Sequence, residues 1–252
     1  MNRVYWLETK SEFFKLARMK TYAMSTLLFP LMFYAFFGLA MGTQQHNGSM
    51  SMAKYLLATY GAFAIVAATL YAFGIGVAVE RGLGWLDVKR ASPMPPAAYF
   101  VAKAAVATAF GAIVVAMLFA LGAAFGGVRM PALQWLSLGG ALVAGAIPFC
   151  ALGLAIGNFA GPNSAPAVVN IIYMPLAFCA GLWIPFDFLP PAVQRIAPAL
   201  PTWHFGQIAL AMLGAPTHGT VAEHAGALLG FGLIFAGIAW IGNSRDRARV
   251  CG

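Results

Sequence analysis

The ionisable residues of this sequence are few, and their types and spacing decide what chemistry the chain could do. Seven Asp and Glu residues and four His residues are spread over 252 positions. His218, Glu223 and His224 come closest to a metal-ligand set, but a solvated loop explains them better than a zinc site does. Sequences of the types HExxH, GxSxG and GxxxxGK[ST] do not occur. We therefore expect no catalytic residue, no metal ligand and no cofactor on this chain.

The densest polar segment is 80–98, ERGLGWLDVKRASPMPPAA, which separates two stretches almost free of charge. Helical spacing places Leu83 and Leu86 near one face and Trp85 and Val88 near another. The charged residues keep the segment out of hydrocarbon, and its three prolines end the helix. A short helix with two such faces can dock into a groove on a partner protein. The alternative is a connecting loop whose charges only mark topology.

Composition determines the elements that must position this segment. The chain is 61% hydrophobic and 9% charged, whereas soluble domains carry about 25% charged residues. Apolar runs of about 20 residues are typical of membrane-spanning helices. We predict an all-α polytopic membrane protein, a single domain over 1–252, with six transmembrane helices. The predicted spans are 22–41, 55–79, 99–125, 133–158, 165–184 and 225–241.

Basic residues indicate the orientation of these spans. Lys and Arg concentrate before the first span, within 80–98 and after the last span. Because such residues mark cytoplasmic loops, both termini and the segment 80–98 are predicted to be cytoplasmic. The net charge of +8 then reflects topology and contact with anionic lipid rather than nucleic-acid binding. Residues 1–20 place Trp6, Phe13 and Leu16 on one face, which predicts an amphipathic helix lying in the membrane interface.

The centres of the predicted spans carry no ionisable residue, which disfavours a proton-coupled transporter. Glu80 and Lys103 fall at span ends, where Lys103 is expected to snorkel towards water. Gly153, Gly157 and Gly161 repeat every fourth residue, a pattern that favours close helix packing. The energy for any transport must therefore come from outside this chain.

Two stretches resemble the permease subunits of type-2 ABC exporters, the ABC-2 type transporter family. The first is the pattern E-x-G-x3-L-D-x4-S-P in the segment 80–98. The second is GLWIPFDFLPPAVQRIAPALPTWH, which begins at Gly181. The matching residues are Glu80, Gly82, Leu86, Asp87, Ser92 and Pro93 in the first, and Gly181, Trp183, Pro185, Leu189, Pro190, Arg195, Ile196 and Pro201 in the second.

The resemblance implies that 80–98 is a cytoplasmic coupling loop that docks on a separate P-loop ATPase. Two ATPase copies would bind ATP and Mg²⁺, and a second permease chain would complete the assembly in the bacterial inner membrane. That second chain is expected to be identical, the alternative being another permease of the same family. The residues implied in coupling are Glu80, Leu83, Trp85, Leu86, Asp87, Lys89 and Arg90.

The aromatic residues of the spans suggest an amphipathic or apolar cargo, such as a drug-like molecule, a lipid or a lipid conjugate. The candidate cargo path comprises Phe29, Phe33, Phe36, Tyr60, Tyr71 and Phe178. In the resembled family, segment 185–204 folds back partly into the outer leaflet, and the candidate outer gate is Trp183, Asp187 and Arg195. The alternative is a membrane assembly factor or channel that acts without an ATPase.

Overall fold

The computed structural model describes residues 2–19, 22, 24–41, 46–47 and 50–250. The regular secondary structure of these residues is helical apart from two paired antiparallel strands, β1 (His46–Asn47) and β2 (Met50–Ser51). The α-helices are α1 (Asn2–Arg18), α2 (Phe29–Phe33), α3 (Met52–Leu70), α4 (Gly76–Gly82), α5 (Trp85–Ala91), α6 (Pro96–Ala124), α7 (Ala132–Ala144), α8 (Ala146–Phe159), α9 (Ala165–Cys179), α10 (Pro191–Ile196), α11 (Pro201–Met212) and α12 (Val221–Val250). Segments Met24–Leu28, Tyr34–Met41 and Tyr71–Ile75 are π-helical, and Phe186–Phe188 and Ala197–Ala199 are 3-10 turns.

Four helical stretches within the described residues are long and apolar enough to cross a membrane. They are Met52–Gly82, Ala97–Ala124, Ala132–Phe159 and Val221–Arg245. The predicted first and fifth spans correspond to shorter apolar helices, Thr26–Ala40 and Ala165–Cys179. The chain is therefore a helical membrane protein with several spans, while the count of six and the cytoplasmic termini stay predictions.

The stretch Met52–Gly82 is the centre of the bundle, with 78% of its most apolar window buried, against 17% for Val221–Arg245. It begins at Ser51, whose hydroxyl accepts a hydrogen bond from the Lys54 amide at 3.3 Å and caps the helix. The small alanine and glycine side chains of this helix let neighbouring helices approach it closely on every side.

Glycines in α8 lie directly against this central helix. A Cβ atom on Gly157 would stand 2.7 Å from the carbonyl oxygen of Phe73, and one on Gly153 would stand 3.1 Å from that of Thr69. Both positions therefore require glycine, and the predicted packing role of the repeat is confirmed for them. Gly161 follows α8 and approaches only Ser164.

The segment 185–204 contains a 3-10 turn, α10, a second 3-10 turn and the start of α11. α9 ends at Cys179, earlier than the predicted span, and Gly181 at φ +75° turns the chain. The side-chain amide of Gln194 donates to the carbonyls of Phe186, Asp187 and Leu189 at 3.3, 3.3 and 2.8 Å. That the segment 185–204 folds back into the outer leaflet stays a prediction.

The buried helix α11 is absent from the sequence prediction, because twelve residues are too few for a span. Its Phe205 side chain is fully buried and lies 5.4 Å from the Phe149 ring of α8. The solvated loop expected at His224 was wrong, since His224 lies on α12 with 2% of its surface exposed, next to His204 of α11. Their Nδ1 atoms are 2.9 Å apart, so a hydrogen bond joins the two helices.

Candidate coupling site

Four elements meet at the predicted cytoplasmic end: α1, α4, α5 and the beginning of α6. α1 packs on α6 through the Phe13 ring, which stacks on Phe110 at 5.2 Å, and through Leu16, which is buried. Trp6 is 67% exposed, so the protein covers only part of the predicted apolar face of α1. Residues 1 and 20 of the predicted helix lie outside the described residues, and its position in the membrane interface stays a prediction.

A cluster of charges holds these elements together, and we call Glu12, Lys15, Glu80 and Lys103 the charge quartet. Lys103 Nζ donates to Glu12 Oε1 at 2.5 Å and to Glu80 Oε1 at 3.1 Å. Lys15 also pairs with both carboxylates. The Tyr99 hydroxyl donates to Glu80 Oε2 at 2.5 Å. The quartet therefore joins α1, α4 and α6 through charge-assisted hydrogen bonds.

The expected snorkelling of Lys103 was wrong, because its side chain has no exposed surface. A buried ammonium group is tolerated when carboxylates neutralise it, and two buried carboxylates face this one. Burial alone would lower the pKa of Lys15, but the charges of Glu80 and then Glu12 raise that pKa above its ordinary value. Lys15 therefore stays protonated at neutral pH.

The sequence prediction missed Glu12 and Lys15 as partners of the spans. Their spacing in α1 is that of ordinary polar residues on an amphipathic helix. The available signal was Lys103, since a cation early in an apolar span needs an acidic partner. Glu80 offered one, but nothing in the sequence indicated that α1 would supply another.

The helix α5 was predicted and is present, and it presents an apolar surface. Gly84 at φ +74° separates it from α4, a conformation that glycine adopts without strain. We call Leu83, Trp85 and Val88 the α5 surface; their exposed fractions are 67%, 56% and 62%. Leu86 instead packs inward against the buried cluster that contains Leu16 and Tyr99.

The charged residues of the predicted coupling set occupy different environments. Asp87 is exposed, whereas Lys89 pairs with Glu8 of α1 and lies 4.6 Å from the centre of the Tyr99 ring. Glu80 is buried, so it cannot contact a partner directly and acts as an anchor for α4. Arg90 lies on α5, but its side chain is outside the described part of the structure.

Arg81 connects the same region to the end of α8. Its guanidinium donates to the carbonyl oxygens of Asn158 and Ala160, the latter at 2.6 Å. Carbonyls at a helix C-terminus lack partners within the helix, and a basic side chain satisfies them. The contact fixes the connection between α8 and α9 beside the coupling segment.

The candidate cargo-path residues divide into three groups. Phe33 lies 5.6 Å from the Trp183 ring and 6.3 Å from the Tyr60 ring, and Phe29 lies 4.4 Å from Phe33. Phe178 meets the edge of Trp183 at 6.3 Å. These five side chains form one aromatic cluster.

Tyr71 lies on the central helix, eleven residues after Tyr60, and its hydroxyl donates a hydrogen bond to Asn170 Oδ1 at 2.9 Å. Phe36 is exposed and contacts Phe37, so the structure does not bring it into the aromatic cluster. Of the candidate outer gate, Trp183 belongs to the cluster. Among the described residues, no ion pair joins Asp187 to Arg195.

A cavity of about 590 Å³ lies between α1, the 71–80 part of the central helix, α5 and α9. Its polar residues include all of the charge quartet except Lys103, together with Lys89. Apolar side chains such as Leu16, Ile75 and Val79 form its wall, and Tyr71 and Asn170 also line it. The described residues contain no group of three or more His, Cys, Asp or Glu that could hold a metal ion.

Comparison with known proteins agrees with this architecture. The family model for the ABC-2 type transporter matches residues 3–213. The chain is also similar to the protein described as "Putative transport permease YvfS" from Bacillus subtilis (strain 168). The two are 29% identical over 209 residues, which cover 82% of this chain and 85% of that protein. The matched region includes α1, the charge quartet, α5 and the aromatic cluster, and the chain belongs to the ABC-2 type transporter family.

Proposed function

We propose that this chain is the transmembrane subunit of an ATP-driven exporter in the bacterial inner membrane. Two copies of a separate ATPase bind ATP and Mg²⁺, and a second, identical permease chain completes the assembly. The observation that carries the proposal is the α5 surface: Trp85 and Val88 are exposed on a seven-residue helix, and Leu83 is exposed just before it. Because this helix belongs to a polar connecting segment, exposed apolar residues there favour a protein partner.

The anchors of α5 support its role in transmitting motion. Lys89 ties α5 to α1, and Glu80 ties the adjoining end of α4 to α1 and α6. Displacement of α5 by a closing ATPase dimer would therefore move these helices together. Such a mechanism needs two discrete states whose balance is set by nucleotide-dependent contacts. Glu80 anchors α4 inside the protein, whereas the α5 surface and Asp87 contact the ATPase.

The cargo is an amphipathic or apolar molecule that moves outward along the aromatic residues. The cluster around Trp183 joins the first span, the central helix and the segment after α9. The indole N–H of Trp183 is buried and has no hydrogen-bond partner in the part of the chain that the structure describes, so a cargo with an acceptor atom could bond it. Asp187 and Arg195 would act separately at the outer gate.

Affinity purification in mild detergent tests the ATPase partnership. We expect a soluble P-loop ATPase to co-purify in near-equal amount with the wild-type chain. Val88→Glu places a charge in the α5 surface and should release the ATPase without unfolding the chain, because Val88 is exposed. Arg129→Glu, an exposed change outside the coupling segment, is the control and should leave the ATPase bound. A folded chain that retains no ATPase in any preparation would favour the assembly factor or channel.

A charge-reversal pair gives a second, functional test. Asp87→Lys combined with Arg90→Glu should leave the chain in the membrane and abolish ATP-dependent transport. Wild-type transport by this double variant would remove the coupling role of α5. Native mass measurement of the purified complex checks the permease dimer, and a strictly monomeric active particle would contradict it.

A further inference from the structure

The cavity beside α1 has the shape and chemistry of an amphiphile site. It extends along the central helix from Glu80 to Tyr71, and nine residues of helix span about 14 Å. One end carries charges, the wall is apolar, and the polar groups at the other end are the neutral Tyr71 and Asn170, which are hydrogen-bonded to each other. Its volume of about 590 Å³ falls within the range of about 300–1,000 Å³ typical of ligand sites.

The charged end presents cations outward. Two lysines and two glutamates line the cavity, so their formal charges balance. The side chains of Lys15 and Lys89 are 39% and 26% exposed, whereas those of Glu12 and Glu80 are 4% and 11% exposed. The lysine side chains are therefore more accessible to a molecule at this end of the cavity than the carboxylates of Glu12 and Glu80 are.

We propose that this cavity binds an amphiphile whose apolar tail lies along Ile75 and Val79 and whose anionic head group contacts Lys15 and Lys89. The head group is a phosphate or a carboxylate, and the tail is a hydrocarbon chain. The inference deepens the proposed export function by naming the cargo class, and it rests on that function for the step from binding to transport. The ammonium groups keep bonds to their glutamates and have further N–H donors for the ligand.

Photo-crosslinking tests the binding step without requiring ATP. The permease complex in phosphatidylcholine nanodiscs is irradiated with a fatty acid that carries a diazirine in its chain, and labelled peptides are mapped. We expect labels in 11–19 and 71–85. Val79→Trp fills the cavity and should reduce this labelling about tenfold, equivalent to about 1.4 kcal/mol. The control Ile147→Trp, at a position 73% exposed and outside the cavity, should leave it unchanged. Uniform labelling of lipid-facing helices would overturn the proposal.

Competition distinguishes head group from tail. Dodecyl phosphate should displace the probe, while dodecyltrimethylammonium and inorganic phosphate should not. Equal displacement by the cationic amphiphile would overturn the charge argument, and equal displacement by inorganic phosphate would reduce the cavity to an anion site. The double variant Lys89→Gln with Glu8→Gln removes one cation without leaving an unpaired acid, so it should weaken displacement by dodecyl phosphate. Unchanged displacement would remove Lys89 from the site.

ATP-dependent movement of the same fatty acid in proteoliposomes separates cargo from resident lipid. Binding followed by movement supports both the site and the export function. If the fatty acid binds and the ATPase co-purifies, but the fatty acid is not moved, the cavity holds a resident lipid and the cargo role is overturned. A complex that moves another amphiphile but shows no cavity labelling would overturn this inference and leave the proposed function standing.

Discussion

Replacing Lys103 by methionine would test whether the charge quartet stabilises the bundle through its charge balance. In the native protein two carboxylates and two ammonium groups neutralise one another among largely buried side chains. The substitution keeps most of the side-chain volume but leaves Glu12 and Glu80 with Lys15 alone. Breaking a buried ion pair from one side costs about 3–5 kcal/mol, because an uncompensated charge stays buried.

The magnitude follows from the size of the chain. For proteins of about this length, 1 kcal/mol corresponds to about 2–4 °C in the unfolding midpoint. We therefore expect the Lys103→Met midpoint to fall by about 10 °C in thermal unfolding of the detergent-purified protein. Lys54→Met is the matched control, because among the described residues the Lys54 side chain makes one hydrogen bond, of 3.4 Å, to Gln134. It should lose no more than about 1 kcal/mol.

A compensating change decides whether charge balance is the cause. Glu12→Gln added to Lys103→Met leaves Lys15 and Glu80 as a balanced pair, with the Tyr99 hydroxyl still bound to Glu80. The double variant should recover most of the lost midpoint. If Lys103→Met is no worse than Lys54→Met, or if the double variant loses the sum of the two single effects, the reasoning from charge balance is refuted.

Three further changes probe other contacts. Gly157→Val would push a side chain against the Phe73 carbonyl and should cost about 1–3 kcal/mol, whereas Gly230→Val, with open space at its Cβ position, should leave the unfolding midpoint nearly unchanged. Arg81→Gln removes a charged donor from two carbonyls and should cost about 1.5–3 kcal/mol in the same assay. Burial lowers the pKa of His204, which lies outside the long spans, below its ordinary value of 6.5. The neutral imidazole should therefore contribute its full stabilisation above pH 6.5, and this contribution should be lost as the pH falls through the lowered pKa. A His204→Gln variant with the same pH dependence as wild type would contradict that assignment.

Local sequence was sufficient for the parts of the fold that local physics determines. Long apolar runs predict helices, and four of the predicted spans lie in helices long enough to cross a membrane. The proline run after α5 ends that helix, as predicted, because the residue before each proline disfavours helical backbone. The glycine spacing in α8 predicted close packing, and the approach of Gly157 to Phe73 confirms it.

Contacts between distant segments could not be obtained in the same way. Lys15 and Glu80 are 65 positions apart, and Lys103 and Glu12 are 91 apart. Helical periodicity describes one helix at a time and cannot tell which face of α1 meets which span. For the same reason Arg81 was treated only as a marker of topology, and its bonds to the end of α8 were not expected. α11 was missed because its buried apolar residues are too few to indicate a span.

The charge quartet is also an argument about specificity. Apolar helices in lipid lack a strong hydrophobic preference for one another, so packing and polar contacts decide their register. α1 contributes Glu12 and Lys15 one turn apart, and both reach the same Glu80 and Lys103 environment. Sliding α1 by one turn would separate these charges from their partners and leave Lys103 short of a carboxylate. Apolar contacts such as Phe13 with Phe110 impose a weaker penalty, because other apolar side chains can replace them. The quartet therefore selects one position of α1, and that position places Glu8 within reach of Lys89 on the helix that carries the α5 surface.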